Sequence, residues 1–393
     1  MSRAEEKKEL KKMKKDLLLA TQQCIGCEFC VPSCPLHFGW LTDSATGKMQ
    51  SLHYAMKRGV DLDERLMEIL YSCTLCGSCE YKCKSLSQSV KVTDIVKKAR
   101  QMFVKAGKGP MPMHKKMIEA LKTLGNPLQE PIRKRKDEYP PTFKKKDHAE
   151  TLLFFGCLTS YQDFEIISST FQILEGAKVD FTALEVEEFC CGYIAHLVGS
   201  EDDFKNCQEK NIASISKVGP KQLVTTCAGC FLTFKELYLE GSFNGVTILH
   251  SVQYLETLTK EGKIRFKSLP TQKVIYHDPC DLGRQLGIFE PPRNILRQIP
   301  GVELIEFETN RYNADCCGGG GGYKAVDAEK SLEVASKRVT AAVNAGAEVI
   351  VSACPACKRN LRLVADIGRQ QKKWNIQVMD ITELIAQGMA ENL

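Results

Sequence analysis

Apolar positions in the first third of the chain recur at the spacing of an α-helix. This spacing predicts a charged helix over residues 5–19, helical sequence over residues 49–70, and a further helix over residues 92–105. Two dense groups of cysteines separate these segments. We therefore expect residues 1–124 to form a mostly helical N-terminal domain that contains those cysteines.

A segment rich in proline and charge follows this domain. Residues 125–148 include Pro127, Pro131, Pro140 and Pro141 together with many lysines and arginines. Prolines interrupt regular structure, and such composition is typical of exposed connections between domains. The segment is predicted to be a surface linker.

Short apolar runs alternate with helical stretches after this linker. Runs rich in β-branched residues predict strands, and longer amphipathic segments predict the helices between them. The strands are expected at residues 152–155, 222–226, 273–276 and 348–352, and two of the helices at residues 204–217 and 326–345. This alternation predicts small parallel sheets that collect ligands at the carboxyl ends of their strands.

The α/β part of the chain is an internal repeat. A strand that ends in a cysteine, a Cys-Cys-Gly motif and a Cys-x-x-Cys motif occur twice, with a period of about 125 residues. The predicted fold class is therefore α+β and multidomain. The helical domain is followed by two tandem α/β repeats, residues 149–268 and 269–393, which are related by pseudo-two-fold symmetry.

Composition is ordinary for a globular protein of several domains. Of the 393 residues, 43% are hydrophobic and 26% are charged, which excludes a disordered or fibrous chain. The net charge of +6 is concentrated in residues 3–15, 133–136 and 144–146. These runs predict either solvated surface or docking to an acidic partner or anionic lipid. They lack interleaved aromatic residues, so we expect no nucleic acid partner.

Cysteine is the exception to this ordinary composition. The sequence has 19 cysteines but begins with a charged, lysine-rich segment that does not resemble an export signal. We therefore expect a reducing, cytoplasmic environment, in which thiols stay free for metal binding. No apolar run reaches the ~18 residues that are needed to span a membrane. Any association with the inner face of the membrane would therefore go through a partner subunit.

Eight cysteines have the spacing that bacterial ferredoxins use for cubane [4Fe-4S] clusters. The first run is Cys24, Cys27, Cys30 and Cys34, and the second is Cys73, Cys76, Cys79 and Cys83. In this motif the last cysteine of each run binds the cluster of the other run. We predict a ferredoxin-like domain with one cubane on Cys24, Cys27, Cys30 and Cys83, and another on Cys73, Cys76, Cys79 and Cys34.

The second run departs from the ferredoxin pattern at one position. Lys84 stands where such motifs usually have proline, whereas Pro35 keeps that place in the first run. The ligands themselves are intact. Structural zinc is the alternative, but it needs one tetrahedral set from paired Cys-x-x-Cys units rather than four cysteines in a short run.

Ten further cysteines form two equivalent sets of five, one in each repeat. The first set is Cys157, Cys190, Cys191, Cys227 and Cys230, and the second is Cys280, Cys316, Cys317, Cys354 and Cys357. Only Cys207 is left over, and it is predicted to be an ordinary buried cysteine. We expect adjacent cysteine side chains to diverge, which suits a cluster of several irons better than one small ion.

Glycines follow both cysteine pairs. Gly192 follows the first pair, and an unbroken run of glycines at residues 318–322 follows the second. Such backbone can approach a bulky inorganic group or an anionic ligand closely, with a flexible surface loop as the alternative. We predict that Gly192, Gly318 and Gly319 contact the cofactor.

With these motifs the chain resembles the cysteine-rich CCG-domain proteins, specifically the D subunit of heterodisulfide reductase of methanogenic archaea. In that family a ferredoxin-like part is fused to a tandem CCG part, and the resemblance covers almost the whole chain. It implies a noncubane [4Fe-4S] cluster on each set of five cysteines, all ten of which are then catalytic. Related dehydrogenase subunits often lack some of these cysteines, so two complete sets favour catalysis.

The resemblance implies an iron–sulfur catalytic subunit of a heterodisulfide reductase-type complex. Electrons would pass from the two cubane clusters to the two noncubane clusters, which reduce the disulfide of coenzyme M and coenzyme B to two thiols. The electron donor would be a membrane b-type cytochrome or a soluble flavoprotein, because no dinucleotide-binding fingerprint is found. The alternative is a non-catalytic relay subunit of a flavin-dependent glycolate, lactate or glycerol-3-phosphate dehydrogenase.

Charged residues close to the cysteines are candidates for contact with substrate or partner. Arg284, Lys324, Lys358 and Arg359 are suited to bind sulfonate, phosphate or carboxylate groups, with solvated surface charge as the alternative. His196 and His277 are candidate proton donors to the leaving thiolates, with a structural role as the alternative. The basic residues 3–15 are the candidate docking surface.

Overall fold

The first part of the chain is helical, as its apolar spacing predicts. The computed structural model describes residues 3–60, 62–83, 90–238 and 241–390. The helices of this part are α1 (Arg3–Thr21), α2 (Ala45–Arg58), α3 (Glu64–Tyr71), α4 (Ser78–Cys83), α5 (Val92–Lys105) and α6 (Pro112–Leu124). Helices α1 and α3 both pack against α5, and α2 packs against α1 and α3.

The helical sequence predicted at residues 49–70 is divided between two helices. Helix α2 starts at the N-cap Ser44 and ends at Gly59, which has a left-handed φ of +64°. A new N-cap, Asp63, then accepts a hydrogen bond of 2.7 Å from the backbone N–H of Leu66. These capping residues therefore end one helix and start the next, although the apolar spacing continues across the break.

Two parallel, four-stranded sheets form the rest of the molecule. The first contains β1 (Thr151–Phe154), β2 (Phe181–Ala183), β3 (Gln222–Thr225) and β4 (Thr247–His250) in the order β2-β1-β3-β4. The second contains β5 (Gln272–His277), β6 (Val302–Ile305), β7 (Val349–Ser352) and β8 (Gln377–Asp380) in the order β6-β5-β7-β8. Leu152 pairs with Leu223 in the first sheet, and Val274 pairs with Val349 in the second. Equivalent strands thus occupy equivalent places, while the pseudo-two-fold relation between the repeats stays a prediction.

Short and medium helices connect these strands. Helix α7 (Lys134–Asp137) lies in the proline-rich segment, and the first sheet carries α8 (Gly156–Gln162), α9 (Phe164–Gly176), α10 (Tyr193–Val198), α11 (Glu201–Val218), α12 (Ala228–Leu232) and α13 (Ser251–Lys260). The second sheet carries α14 (Glu290–Leu296), α15 (Ala328–Asn344), α16 (Pro355–Gln370) and α17 (Ile381–Gly388). Within the described part of the chain, no helix has both the length and the apolar character needed to cross a membrane.

The four strands found from the sequence are the central strands of the two sheets. Strands β1, β3, β5 and β7 are buried along most of their length, so they read as continuous apolar runs. The four strands that the sequence did not reveal lie at the sheet edges. Of these, β4, β6 and β8 contain exposed or half-exposed positions, and β2 has three residues.

Two apolar cores join the three parts of the molecule. One core contains residues from the strands and helices of both repeats, including Phe171, Leu255, Ile275, Ile350 and Leu384. The other contains the N-terminal helices together with the first sheet, including Leu52, Phe103, Leu152, Phe154 and Phe204. Helix α17 of the second repeat also packs against α9 of the first. The loops that carry the cysteines are therefore held by shared cores.

The proline-rich segment is partly buried rather than a simple surface connection. Arg135 is fully buried and pairs with Glu188. The ring of Tyr139 contacts the rings of Phe155 and Phe171, with centroids 5.8 Å and 5.3 Å away. The boundaries proposed for the linker and its neighbouring domains stay predictions, but these side chains complete the core of the first sheet.

Candidate functional site

Four cysteines of the helical part surround a cavity of about 160 Å³. They are Cys24, Cys27, Cys30 and Cys83, and Cys79 lies in the same wall. Cys27 is exposed, whereas the other members of this group are half-buried. The cavity therefore brings together three cysteines of the first run and the last cysteine of the second, which is the exchange that the motif predicts.

A smaller cavity beside it is lined by Cys34, Cys73, Cys76 and Cys79. Both cavities include Cys79, Ala45 and Val92 in their walls, so the two groups are direct neighbours. Lys84, the departure from the ferredoxin motif, lies outside the described residues. The ligand roles of these eight cysteines stay proposals, which their grouping supports.

Burial makes several of these thiols weak acids. It raises the pKa of Cys34 to about 11, although the nearby Lys48 acts in the opposite direction. Burial is also the largest cause that raises the pKa of Cys79 and of Cys24. Buried thiols of this kind become thiolates when a metal supplies positive charge. The first cavity has five cysteines in its wall and the second has four, with Cys79 in both, so each has enough sulfur donors for a [4Fe-4S] cluster.

The five cysteines of the first repeat line one cavity of about 400 Å³. Cys157 follows β1, Cys227 and Cys230 follow β3, and the adjacent pair precedes α10. The sulfur atoms of Cys190 and Cys157 are 3.9 Å apart. A parallel sheet, which aligns the carboxyl ends of its strands, thus assembles cysteines that are distant in sequence.

A buried carboxylate fixes the loop that carries Cys157. Glu188 accepts hydrogen bonds of 3.0 Å and 2.8 Å from the backbone N–H groups of Phe155 and Gly156. Gly156 has φ +76°, and a Cβ at this position would lie 2.7 Å from the sulfur of Cys230. Glycine is therefore required for the loop to approach the cysteine set so closely.

The adjacent cysteines lie outside the sheets, in irregular segments. Both members of the first pair, Cys190 and Cys191, line the 400 Å³ cavity. In the second pair, Cys316 accepts 3.3 Å from the backbone N–H of Gly318, and Cys317 accepts 3.5 Å from that of Gly319. Divergence of the two side chains within each pair stays a prediction.

Some thiols in each set are unusually acidic, because the pKa values of Cys191 and Cys227 in the first set and of Cys317 in the second are lowered by their surroundings. Hydrogen bonds from Cys190 and Cys230 lower the pKa of Cys191 to about 6. In the second set, hydrogen bonds from Cys316 and Cys357 lower the pKa of Cys317 well below its usual range. The thiolate is the form that binds metal, so both sets fit an iron–sulfur group.

The second set of five lies at the equivalent edge of the second sheet. Cys280 follows β5, and Cys354 and Cys357 lie at the start of α16. Cys280 and Cys354 line the same 400 Å³ cavity as the whole first set. The two sets therefore face one shared space.

The imidazole of His277 belongs to the second set rather than to the cavity. Its ring nitrogen and the sulfurs of Cys317 and Cys357 lie within 4.8 Å of one another. Its Nδ1 accepts a hydrogen bond of 3.2 Å from Arg338, and burial lowers its pKa to about 3. A neutral, enclosed imidazole does not fit the proton-donor role considered from the sequence. His196 likewise lies beside Glu201, with Nδ1 2.8 Å from its carboxylate, and does not line the cavity.

Contacts beside the cysteines place three of the four groups in series. The thiol of Cys316, in the second set, donates 3.6 Å to the hydroxyl of Thr74, which lies in the wall of the second cubane cavity. Cys354 of the second set and Cys227 of the first set line the same 400 Å³ cavity. Because the two cubane groups share a wall, the order is first cubane group, second cubane group, second set, first set.

The glycines after the cysteine pairs allow close packing of the protein on itself. A Cβ at Gly192 would lie 2.8 Å from the ring of Phe204, and one at Gly318 would lie 2.3 Å from the carbonyl oxygen of Ser331. Gly319 does line the 400 Å³ cavity. Contact of Gly192, Gly318 and Gly319 with the cofactor stays a prediction.

The centre of the glycine run lies against the cubane region. A Cβ at Gly321 would lie 2.5 Å from the carbonyl oxygen of Cys73, and one at Gly320 would lie 2.9 Å from that of Thr74. The sequence suggested two interpretations of this run, a loop over a bulky group and a flexible surface loop. Neither interpretation predicted this contact. The absence of side chains brings the second repeat up to the backbone of the second cubane group.

The four candidate cations have different surroundings. Arg284 donates to the carbonyl oxygens of Cys76 and Tyr312, and Lys358 is buried among carboxylates. Neither of them lines the shared cavity, whereas Lys324 and Arg359 do. The structure therefore reduces the candidates for substrate contact to these two. Cys207 is buried outside the sets, as predicted.

One pair of cavity residues escaped the sequence analysis. The hydroxyl of Tyr193, next to Gly192 of the first repeat, donates 3.2 Å to Asp281, next to Cys280 of the second. Burial raises the pKa of Asp281 to about 7. Both residues directly follow a cysteine motif, and this position is the feature from which the sequence could have identified them. Their bond ties the two repeats together across the cavity wall.

Two protein-family models match this chain, one in its helical part and one in each α/β repeat. A cysteine-rich CCG domain matches residues 151–235 and 274–362, and a 4Fe-4S dicluster domain matches residues 20–86. A solved hypothetical protein from Helicobacter pylori has a TM-score of 0.58 and 12% identity, and the match covers all of this chain and 74% of that one, which shows a shared fold. Fold and site thus define an iron–sulfur oxidoreductase with CCG domains.

Curated relatives define the family more closely. The D subunit of the dihydromethanophenazine:CoB–CoM heterodisulfide reductase of Methanosarcina acetivorans is 34% identical, across 83% of this chain and 79% of the relative. The corresponding protein of Methanosarcina barkeri is 29% identical across 95% of both chains. This chain belongs to the family of heterodisulfide reductase D subunits. A probable iron-sulfur-binding oxidoreductase, FadF of Bacillus subtilis, is 32% identical across 82% of this chain and 47% of its own.

Proposed function

We propose that this chain is the catalytic subunit of a heterodisulfide reductase-type complex and that it reduces a small disulfide to two thiols. The observation that carries this proposal is the shared cavity. All five cysteines of the first set and two of the second line one space of about 400 Å³. A pure relay needs neither two complete sets nor a cavity between them.

Residues for four iron–sulfur groups are grouped in space. Cys24, Cys27, Cys30 and Cys83 would hold the first cubane cluster, and Cys34, Cys73, Cys76 and Cys79 the second. Each set of five in the repeats would hold one noncubane [4Fe-4S] cluster. When bound, such clusters would supply single electrons and iron that can bind sulfur.

The reaction adds two electrons and two protons to a disulfide, so that R–S–S–R′ becomes R–SH and R′–SH. Electrons come from a partner protein, and protons come from solvent. The protein contributes a cavity that encloses the disulfide. Apolar side chains of Met117, Leu128, Leu158 and Ile194 form part of the wall and limit the access of water. The sulfur–sulfur bond is thereby held where both cysteine sets face it.

Electrons are best accepted at the first cubane group. Cys27 is exposed there, and the flanking side chains of Ile25 and Phe29 are 82% and 65% exposed. Helix α1 ends three residues before Cys24 and carries many lysines. An acidic redox protein with an apolar contact patch fits this surface, and both a cytochrome-bearing and a flavin-bearing donor are compatible with it.

The test uses the full chain after anaerobic reconstitution with iron and sulfide. Reduced methyl viologen serves as donor, and consumption of the CoM–CoB disulfide is followed together with thiol release. We expect about two viologen radicals to be oxidised for each disulfide cleaved, as the balance of the reaction requires. Serine replacement of Cys191 should abolish turnover, while Cys207→Ser, a matched buried cysteine outside the sets, should not.

The relay function gives a different outcome. A subunit that only transfers electrons would be reduced by viologen and reoxidised by a quinone or cytochrome, but it would reduce no disulfide. That result, obtained with protein containing iron for all four groups, would overturn the proposal.

A further inference from the structure

A buried threonine lies between two of the cavities that the cysteines line. Thr74 follows Cys73 of the second cubane group, and it forms part of the walls of both the second cubane cavity and the 400 Å³ cavity. Its hydroxyl lies 3.6 Å from the sulfur of Cys316, which belongs to the second set of five. The side chain of a cubane loop therefore contacts a cysteine of a different group.

The loop that carries this threonine is held in one conformation. Leu75 has a left-handed φ of +54°, which side chains other than glycine rarely adopt. Arg100 donates 2.9 Å to the carbonyl oxygen of Cys73, and Arg284 donates 2.7 Å to that of Cys76. A strained backbone persists only where its surroundings fix it, and these two arginines supply such contacts on both sides of the turn.

The loop that carries Cys316 is attached to the same arginine. Arg284 also donates to the carbonyl oxygen of Ala314, two residues before Cys316. The glycine run packs against the other side of the turn, since a Cβ at Gly320 would lie 2.9 Å from the carbonyl oxygen of Thr74. One guanidinium thus connects both loops, and the hydroxyl and the sulfur are held next to each other.

Binding of iron would determine the direction of this hydrogen bond. A cysteine that binds a metal is a thiolate, so its sulfur has no hydrogen to donate and only accepts. The hydroxyl of Thr74 can rotate, and it would then donate to the sulfur of Cys316. That sulfur also accepts 3.3 Å from the backbone N–H of Gly318. The cubane loop would therefore add a hydrogen bond to one that the second repeat already provides.

The first repeat differs at the equivalent cysteine. Cys190 takes the place of Cys316, and its sulfur lies 3.9 Å from that of Cys157, a member of its own set. Among the residues that the structure describes, no hydroxyl group forms a hydrogen bond with the sulfur of Cys190. The two sets of five therefore have different surroundings although their cysteine motifs are alike.

We propose that the hydroxyl of Thr74 raises the reduction potential of the cluster on the second set and thereby favours electron transfer to it from the second cubane cluster. This inference rests on the proposed function and deepens it. A hydrogen bond to a ligand sulfur stabilises the reduced cluster, which is the more negative form, and so raises its potential. One electron leaves the cubane cluster and one enters the second set, while no bond breaks and no proton moves.

Removal of the hydroxyl without loss of volume tests this inference. Full-length protein loaded with iron and sulfide is titrated redox-potentiometrically, and electron paramagnetic resonance follows each cluster. The signal of the second set is the one that Cys316→Ser removes or shifts. Thr74→Val should lower the potential of this cluster by about ten-fold in its equilibrium constant, which is about 59 mV for one electron. Thr74→Ser, which keeps the hydroxyl, should remain close to wild type.

Thr170→Val is the matched control. Thr170 is a buried threonine of α9 whose hydroxyl donates 2.6 Å to the carbonyl oxygen of Ile166, and its replacement should leave every cluster potential unchanged. An unchanged potential in Thr74→Val would overturn the proposal. An equal shift in Thr74→Ser would also overturn it, because packing rather than the hydroxyl would then be responsible.

Iron analysis accompanies each titration, and Thr74→Ala is a second variant without the hydroxyl. Whichever of the alanine and valine variants keeps its iron should show the lowered potential. Iron loss from both of them, with a full content in Thr74→Ser, would contradict the proposal, since Thr74 would then serve cluster assembly.

The titrations need no substrate, so they separate this inference from the proposed function. If Thr74→Val shows the lowered potential but wild-type protein reduces no disulfide, the hydrogen bond stands and the proposed reaction fails. If wild-type protein reduces the disulfide and Thr74→Val has an unchanged potential, only the role of Thr74 fails.

Discussion

Arg100 donates a hydrogen bond of 2.8 Å from its guanidinium to the carbonyl oxygen of Gly321. The same buried side chain donates 2.9 Å to the carbonyl oxygen of Cys73 and 2.9 Å to that of Leu197. One arginine thus connects the second cubane group, the glycine run of the second repeat and a helix of the first repeat. Its contacts hold the cysteine groups at a fixed separation.

Replacement of Arg100 by methionine should loosen this connection. Methionine fills similar space but leaves several buried carbonyl oxygens without a donor, so we expect a loss of about 3 kcal/mol or more in the free energy of unfolding. Urea unfolding of the anaerobic protein measures it. Arg65→Met, at an exposed arginine, should change stability by less than about 0.5 kcal/mol. Equal effects of the two replacements would contradict the role of Arg100.

Pairs of serine replacements test which cysteines share a cubane cluster. Cys73 and Cys83 belong to one run but to different cavities, so Cys73→Ser with Cys83→Ser should remove both clusters, about eight irons. Cys24→Ser with Cys83→Ser should remove one cluster, about four irons. Iron and sulfide analysis distinguishes the two cases. Loss of about four irons from the first pair would show that each run binds its own cluster.

The exposed patch beside Cys27 should control reduction by a protein donor. Phe29→Asp places a negative charge in this patch, and we expect at least a ten-fold slower reduction by a reduced acidic ferredoxin in stopped-flow measurements. Reduction by methyl viologen, which is small and needs no docking surface, should not change. Leu363→Asp replaces an exposed leucine of α16 and serves as control. If Phe29→Asp slows both donors equally, the change has damaged the cluster rather than the docking.

Much of the site could be predicted because its chemistry depends on local spacing. Ferredoxin motifs determine which cysteines can reach one cluster, and the structure groups Cys24 with Cys83 and Cys34 with Cys73 as that spacing suggests. The central strands were also found, since burial on both faces leaves a continuous apolar run.

Features that depend on distant contacts could not be predicted in this way. The pair of Tyr193 and Asp281 forms only when the two repeats meet, and neither residue has a motif of its own. The same holds for Arg100, whose acceptors lie in three separate segments.

Asp380 should make stability depend on pH. It caps α17 by accepting 2.9 Å from the N–H of Thr382, while its Oδ2 has no hydrogen-bond partner among the described residues. Burial raises its pKa from 3.8 to about 7. The folded state therefore holds a proton that the unfolded state releases, so stability falls as pH rises from about 4 to 7 and is level above.

Asp380→Asn keeps the cap without the ionisable group. We expect the variant to be more stable than wild type, and its advantage to be about 2 kcal/mol larger at pH 8 than at pH 5. Urea unfolding at both values, with both proteins in the same metal state, measures this difference. Asp63→Asn, at the exposed cap of α3, should show no such growth with pH. A constant difference between Asp380→Asn and wild type would mean that Asp380 is already ionised in the folded protein at pH 5.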